Sequence, residues 1–355
     1  MLINKLEKNR PFIISGPCSA ESEQQVLRTA NAIKSIVDVF RAGLWKPRTK
    51  PNNFEGVGEK GLKWLNKVQK ELGIKVCTEV ATPKHVDICL KSNIDMLWIG
   101  ARTTVNPFYI EEIAQALKGH DIPVLIKNPT HPDINLWIGA FERLKKQGVN
   151  NLIAVHRGFY NDTSSTFRNE PRWEKIIKFR KANPEIPIIC DPSHISGNRN
   201  YVKDISQIAM DLDLDGLMIE SHCDPKTALS DRQQQISPKN LIDIINGLIL
   251  RSPELNDDNI ISQLQSYRLN IDNYDMKILE LLKRREDIIK KIAKLKHLNG
   301  ITVFQLKRWF EILDTRREKG EILDLDENFV YEIFEIIHKY SILKQTNILQ
   351  KLNVN

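Results

Sequence analysis

Eight short apolar runs punctuate the first 250 residues, and each ends in a polar cluster. The runs are PFIISG, DVFRAGLW, IKVCTE, MLWIGA, PVLIKN, NLIAVH, IPIICD and GLMIES, with amphipathic stretches such as EQQVLRTANAIKSIV and EKIIKFRKA between them. Eight strand–helix repeats in a segment of this size predict an α/β fold, a (β/α)8 TIM barrel. A doubly wound eight-stranded sheet is the competing arrangement. The clusters GPCS, WKPRT, TEV, GARTT, IKNPT, VHRG, CDPSH and IESH would meet at the C-terminal mouth of a barrel, where active sites of this fold lie. A purely structural protein has little reason to gather so many charges where each needs a partner. The pattern therefore points to an enzyme.

The pattern changes after KNLIDIINGLIL, a helix that closes the barrel. RSPELNDD reads as a polar, proline-bearing linker. The expected organisation is a barrel over 1–252, a linker over 253–262 and an all-α three-helix domain over 263–355. Apolar residues Ile278, Leu281, Leu282, Ile288, Ile292 and Leu295 recur at helical spacing on one long helix, near 259–298. Asn299-Gly300 breaks it, and two further helices follow near 304–319 and 327–349. A helix this long cannot bury its apolar stripe against two shorter ones alone, which predicts a homodimer or higher oligomer through this segment.

Charge narrows the class of partner. The net charge is +7, yet from Asp257 onward 17 Lys and Arg face 16 Asp and Glu. The excess thus lies in the barrel segment, spread singly at strand ends. That suits small anionic substrates and excludes a nucleic-acid track, which needs a basic stripe with interleaved aromatics. No apolar run is long enough to span a membrane. The N-terminus lacks the apolar core of a signal peptide, no regulatory domain is expected ahead of the barrel, and the five cysteines form no CxxC pair. A cytoplasmic enzyme in a reducing compartment is the expectation. Gly56-Val57-Gly58-Glu59-Lys60-Gly61 fits GxGxxG, but no strand leads straight into it, so nucleotide binding is not inferred.

Two sets of residues carry the chemistry of the barrel. Cys18, His194, Glu220 and Asp231 fall at or just beyond the ends of the first, seventh and eighth strands. A thiolate, an imidazole and two carboxylates suit a divalent Mn, Fe, Co or Zn rather than Mg or Ca. Taken singly, each has an ordinary reading as a buried thiol, a capping acid or a hydrogen-bonded imidazole. Arg41, Lys46, Arg48, Arg102, Lys127 and Arg157 also stand at strand ends, and six cations around one cavity would repel one another without anionic ligands. In the tail, Arg268, Arg285 and Lys296 share the long helix and Arg308 lies on the next, which by composition alone could be a solvated face.

These motifs, in this order, resemble the 3-deoxy-D-arabino-heptulosonate 7-phosphate (DAHP) synthases, in the branch related to 3-deoxy-manno-octulosonate 8-phosphate synthase. The resemblance spans residues 10–250 through GPCS, KPRT, GARTT, IKNPT, HRG, DPSH, Glu220 and Asp231. It implies condensation of phosphoenolpyruvate with erythrose 4-phosphate, with a divalent metal held by Cys18, His194, Glu220 and Asp231. It further implies that Arg102, Lys127 and Arg157 hold the phosphoenolpyruvate phosphate, with Arg41 and Lys46 near its carboxylate. Arg48 and Thr49 would take the aldose phosphate, KPRT being the feature that favours the four-carbon sugar. Lys46 is either a proton donor to the new alkoxide or a purely electrostatic group.

The tail resembles the all-helical class of chorismate mutases over about 262–350, through the spacing of Arg268, Asp275, Arg285, Lys296, Arg308, Ser341 and Gln345. By that likeness Arg285, with Arg268 of a partner chain, binds the two carboxylates of chorismate. Lys296 and Gln345 contact its ether oxygen, and Arg308 and Ser341 complete the pocket. Gln305 and Trp309 depart from the pattern, standing where the family carries acids that meet the substrate hydroxyl. The alternative is a tail that only binds prephenate or chorismate to regulate the barrel, and prephenate is the expected feedback inhibitor.

Overall fold

The computed structural model describes residues 10–47, 53–161, 166–252 and 257–353. Eight parallel strands follow one another round a closed barrel. They are β1 (Phe12–Gly16), β2 (Val39–Arg41), β3 (Lys75–Val80), β4 (Met96–Ile99), β5 (Val124–Lys127), β6 (Leu152–His156), β7 (Ile188–Cys190) and β8 (Gly216–Glu220). β1 pairs with β8 from Phe12 opposite Gly216 to Gly16 opposite Glu220, which removes both sheet edges. That closure excludes the doubly wound alternative.

The strands read as unbroken apolar runs because both of their faces are buried. Ile14, Val39, Trp98, Leu125, Ile153, Val155 and Met218 form one cluster, while Ile13, Phe40, Leu97, Ile99, Ile126, Ala154 and Leu217 join the larger core that includes helix residues. The alternation of neighbours between the two clusters is the period-two geometry of a strand, with one set filling the barrel and the other facing the helices. Helix starts follow local chemistry. Thr82, Asn106 and Ser237 accept backbone N–H groups at the caps of helices that begin with Pro83, Pro107 and Pro238. Gly16, the last residue of β1, has no substitute, since a Cβ there would lie 2.1 Å from the Arg41 carbonyl oxygen.

The chain divides into two compact units at Pro253/Glu254. The second holds helices Asp258–Leu298, Leu306–Ile322 and Glu327–Asn353. Residues 258–262, read above as linker, are already helix, because the Asp257 carboxylate accepts the Asn259 and Ile260 N–H groups at 2.9 and 3.3 Å. Its polarity marks a helix cap, not a loop. Gly320 lets the last two helices approach, for a Cβ there would come within 2.7 Å of the Val330 side chain. Within this unit Ile289, Ala293, Leu313 and Val330 are buried, but Ile278, Leu281 and Leu295 remain 53%, 61% and 62% exposed. Among the described residues no helix is long and apolar enough to cross a membrane.

His156 ends β6 with no exposed surface, edge-on to Trp173 at 5.0 Å between ring centroids. Burial, reinforced by Arg157, pushes its pKa down to about 3. As pH falls through the ordinary histidine range the unfolded chain takes up a proton that the folded chain refuses, so stability present above that range is lost below it. His156→Gln should therefore resist acid better. Between pH 7 and pH 5 the wild type should lose on the order of 2 kcal/mol more than the variant, read from urea unfolding at the two pH values.

Candidate active site

At the C-terminal end of the barrel, ligand atoms of Cys18, Glu220 and Asp231 lie within 4.8 Å of one another. Cys18 Sγ is 3.3 Å from Asp231 Oδ2, and His194 presents Nε2 3.8 Å from Glu220 Oε1. His194 therefore stands beside the three-residue cluster, reaching it through Glu220. Asp191 accepts the His194 backbone N–H and ring Nδ1, each at 3.0 Å. That assigns the ring proton to Nδ1 and leaves the Nε2 lone pair facing the acids, the orientation a metal-binding histidine needs. Burial lowers the His194 pKa, while the neighbouring Asp191 and Glu220 carboxylates pull it back up.

The donor set fits a divalent cation on a further count. Glu220 Oε1 is buried without a hydrogen-bond partner, while Oε2 accepts from Gln234 at 2.7 Å. A carboxylate oxygen left orphaned at zero exposure is expensive unless something positive meets it. Arg41 supplies part of that charge, with Nη1 3.2 Å from Glu220 Oε1 and its guanidinium 4.5 Å over the Trp98 ring. Burial opposes ionisation of Glu220, yet His194 and Arg41 hold its pKa below the usual carboxylate value. Without a cation, burial and the charges of Glu220 and Asp231 push the Cys18 thiol up to about 12.

Beside this cluster opens a cavity of about 580 Å³, lined among others by Lys46, Arg102, Lys127, Arg157, His194 and Asp231. Arg41, the other described cation of that expected set, is not on the lining; it lies beneath, 1% exposed, propping Glu220. Arg48 and Thr49 lie outside the described residues. Lys127 ends β5, and its Nζ donates to Asp191 Oδ2 at 2.7 Å. Arg157 follows β6 and donates to Asn169 Oδ1 at 2.7 Å, with burial lowering its pKa to about 10. Arg102 sits in the short helix Ala101–Thr104 and donates to the Pro47 carbonyl. Lys46 packs over Gly43, where a Cβ would fall 2.5 Å from its Nζ.

Several lining or supporting groups were not singled out from sequence. Asp191 stands in plain view within DPSH, yet its role as the hinge between Lys127 and His194 needs the fold. Arg168, which bonds Asp231 at 3.1 Å and Gln234 at 2.8 Å, belongs to no strand end and carries no local signal. Glu79, on the cavity lining, is the middle residue of the TEV cluster.

In the helical unit Arg285 Nη1 donates to Ser341 Oγ at 2.5 Å, and Gln345, one turn beyond, is buried with Oε1 unpartnered. Lys296 is half-buried and donates to the Val303 carbonyl at 2.7 Å. Arg308 is exposed and pairs with Glu311, and Arg268 is exposed on the long helix. The structure thus joins Arg285 with Ser341 directly, whereas Arg268 and Arg308 are exposed and, among the described residues, make no hydrogen bond to either. Trp309 stacks on His338 with centroids 4.1 Å apart.

Comparison with known proteins agrees with both halves. The family model described as DAHP synthetase I matches residues 3–248, and that described as chorismate mutase type II matches 267–346. A phospho-2-dehydro-3-deoxyheptonate aldolase of Thermotoga maritima is 32% identical over 229 residues, covering 63% of this chain and 64% of that protein. This chain thus spans less than two thirds of that relative. A 2-dehydro-3-deoxyphosphooctonate aldolase of Variovorax paradoxus is 29% identical over 67% of this chain and 89% of its own length. Among solved structures, a DAHP synthase of Thermotoga maritima superposes with a TM-score of 0.60 at 29% identity, covering 66% of this chain and 67% of that one. A truncated form of 3-deoxy-D-arabino-heptulosonate 7-phosphate synthase from that organism gives 0.58 at 25% identity, over 69% and 93%. With its closed barrel and its match running through all eight strands, the chain belongs to the DAHP synthetase I family and carries a C-terminal domain of the chorismate mutase type II kind.

Proposed function

We propose that the barrel condenses phosphoenolpyruvate with erythrose 4-phosphate to DAHP and phosphate, with a divalent metal held by Cys18, His194, Glu220 and Asp231, and that the helical domain rearranges chorismate to prephenate. The observation that carries the barrel reading is the joining, at one mouth, of a thiol–carboxylate cluster and its neighbouring imidazole with a cavity lined by four of the expected cations. Arg102, Lys127 and Arg157 form the phosphate side of that cavity. Lys46, on the side of the acids, reaches the substrate carboxylate and the oxygen of the aldehyde, with Arg41 supporting from below.

A bound Mn, Fe, Co or Zn ion supplies Lewis-acid polarisation of the aldehyde oxygen. The cations hold phosphoenolpyruvate with C3 toward the aldehyde carbon, so that attack becomes intramolecular in effect. Positive character grows at C2 as the carbon–carbon bond forms. Water adds there, and phosphate departs with its ester oxygen. Lys46 donates a proton to the new alkoxide or stabilises it as a fixed positive charge. Asp191, held ionised by His194 and Lys127, keeps both in place while the substrates turn over.

The mutase reaction needs no nucleophile. Arg285 fixes a carboxylate, and Lys296 with Gln345 stabilises the negative charge growing on the ether oxygen. Arg268 comes from a second copy of the chain, joined through the exposed apolar face of the long helix, and Arg308 and Ser341 complete the pocket. Prephenate bound there would inhibit the barrel.

Four outcomes follow. Purified protein should form DAHP from phosphoenolpyruvate and erythrose 4-phosphate, and far less product from arabinose 5-phosphate, by product analysis; the reverse preference would reassign the aldose. Treatment with a strong chelator should abolish condensation, and Mn, Fe, Co or Zn should restore it; full activity after stripping defeats the metal assignment. Arg285→Ala should lower mutase kcat/KM on the order of a hundredfold or more while condensation stays near wild type. The same variant should lose inhibition of condensation by prephenate. Mutase turnover equal to wild type would leave the tail a binding module.

A further inference from the structure

Two of the expected metal ligands sit on loops rather than on strands. Cys18 follows β1, and Asp231 lies in the loop after β8. A loop position is soft, and Asp231 is also held at φ 44°, a left-handed conformation that the surroundings must enforce. Yet the two ligand atoms stand 3.3 Å apart. The Cys18 thiol bridges that gap by donating to Asp231. Once its proton leaves to make room for a cation, two acids and a thiolate this close repel one another, so the scaffold must oppose their separation.

A set of buried polar contacts ties the two loops on either side of the ligands. Gln235 has no exposed surface; its Oε1 accepts the Cys18 backbone N–H at 2.9 Å, and its Nε2 donates to the Ser230 carbonyl at 2.7 Å. One amide therefore spans the backbone of Cys18 and that of the residue before Asp231. The hydroxyls of Ser19 and Ser230, each next to a ligand, meet at 2.6 Å. Glu21 Oε1 accepts the Leu229 N–H at 2.8 Å and extends the seam away from the site. None of these groups lines the cavity. Nothing in their arrangement serves substrate directly, and all of it bears on the distance between Cys18 and Asp231.

We propose that Gln235, with the Ser19–Ser230 hydroxyl pair, is a clasp that positions Cys18 and Asp231 to hold one divalent cation together. The inference rests on the metal reading above. Gln235 touches neither substrate nor ion; it acts through the backbone of both ligand-bearing loops. Outer groups that orient metal ligands typically change affinity by about 10–100-fold when removed.

The test uses the full chain with Gln235→Met, which keeps the length of the side chain and removes both hydrogen bonds. Affinity for Co2+ and Mn2+ is measured by competition with a chromophoric chelator, and the thiolate-to-Co2+ absorption band reports how well sulfur meets the ion. Phosphoenolpyruvate binding in chelator, through Arg102, Lys127 and Arg157, serves as the comparison, because Gln235 bonds none of them. The expected result is a rise in metal Kd of about 10–100-fold and a weaker or shifted Co2+ band, with phosphoenolpyruvate affinity within about twofold of wild type. An unchanged Kd and band overturn the clasp. So does a parallel loss of metal and phosphoenolpyruvate affinity, which would mark Gln235 as a general structural residue. Absence of any thiolate band in the wild type overturns the metal reading itself, a distinct failure. Should Gln235→Met not fold, Ser19→Ala opens the other half of the clasp; a metal Kd raised at least threefold supports the proposal, and wild-type affinity rejects it.

Discussion

Two carboxylates with no exposure, Asp191 and Glu220, dictate the arrangement of the barrel mouth. A buried carboxylate is tolerated only where positive charge and hydrogen-bond donors surround it. Asp191 is met by Lys127 and by the backbone N–H and ring Nδ1 of His194, and Glu220 by Arg41, Gln234 and His194 Nε2. Against the opposing effect of burial, those partners depress both pKa values, so both acids stay charged. Because Arg41 ends β2, Lys127 ends β5, Asp191 follows β7 and Glu220 ends β8, satisfying the two acids ties four strands together at their C-terminal tips.

The same charges divide the mouth into two chemical sides. Acidic groups and an imidazole gather where Cys18, Asp231, Glu220 and His194 meet. Positive charge gathers across the cavity at Arg102 and Arg157, where burial lowers the Arg157 pKa to about 10. A site built this way favours a ligand that brings anionic groups to the positive side and, with a cation among the acids, a carbonyl oxygen to the other. Asp191 couples the sides, since one of its oxygens holds the cation Lys127 and the other orients His194. Charge balance, rather than shape alone, is therefore what the fold delivers to the reaction.

The helical unit follows a different economy. Its buried core is small, and the long helix leaves large apolar residues exposed along much of its length. Its polar pocket groups are linked by few bonds, Arg285 with Ser341 being the shortest. Gln345 keeps a buried carbonyl oxygen without a partner, a state that a ligand donor would relieve.

Much of this was legible in the chain itself. Strand count, strand order and the location of the charged clusters followed from apolar runs that end in polar residues, because a (β/α)8 repeat writes its active-site face at fixed points of its period. The helical tail followed from spacing, and its first helix begins within one residue of the expected start. The expected linker ran too far, to 262, since a capping Asp257 looks like a linker residue. What stayed hidden was pairing across distance. That Arg41 lies under Glu220 and off the cavity lining, that Arg168 reaches Asp231, and that Gln235 spans two loops all depend on residues more than sixty positions apart, or up to 217 apart for Cys18 and Gln235. Sequence periodicity sets which side of an element a residue occupies. Only closure of the barrel determines which side chains then share a dielectric, and it is in that shared low-dielectric space that charges choose their partners.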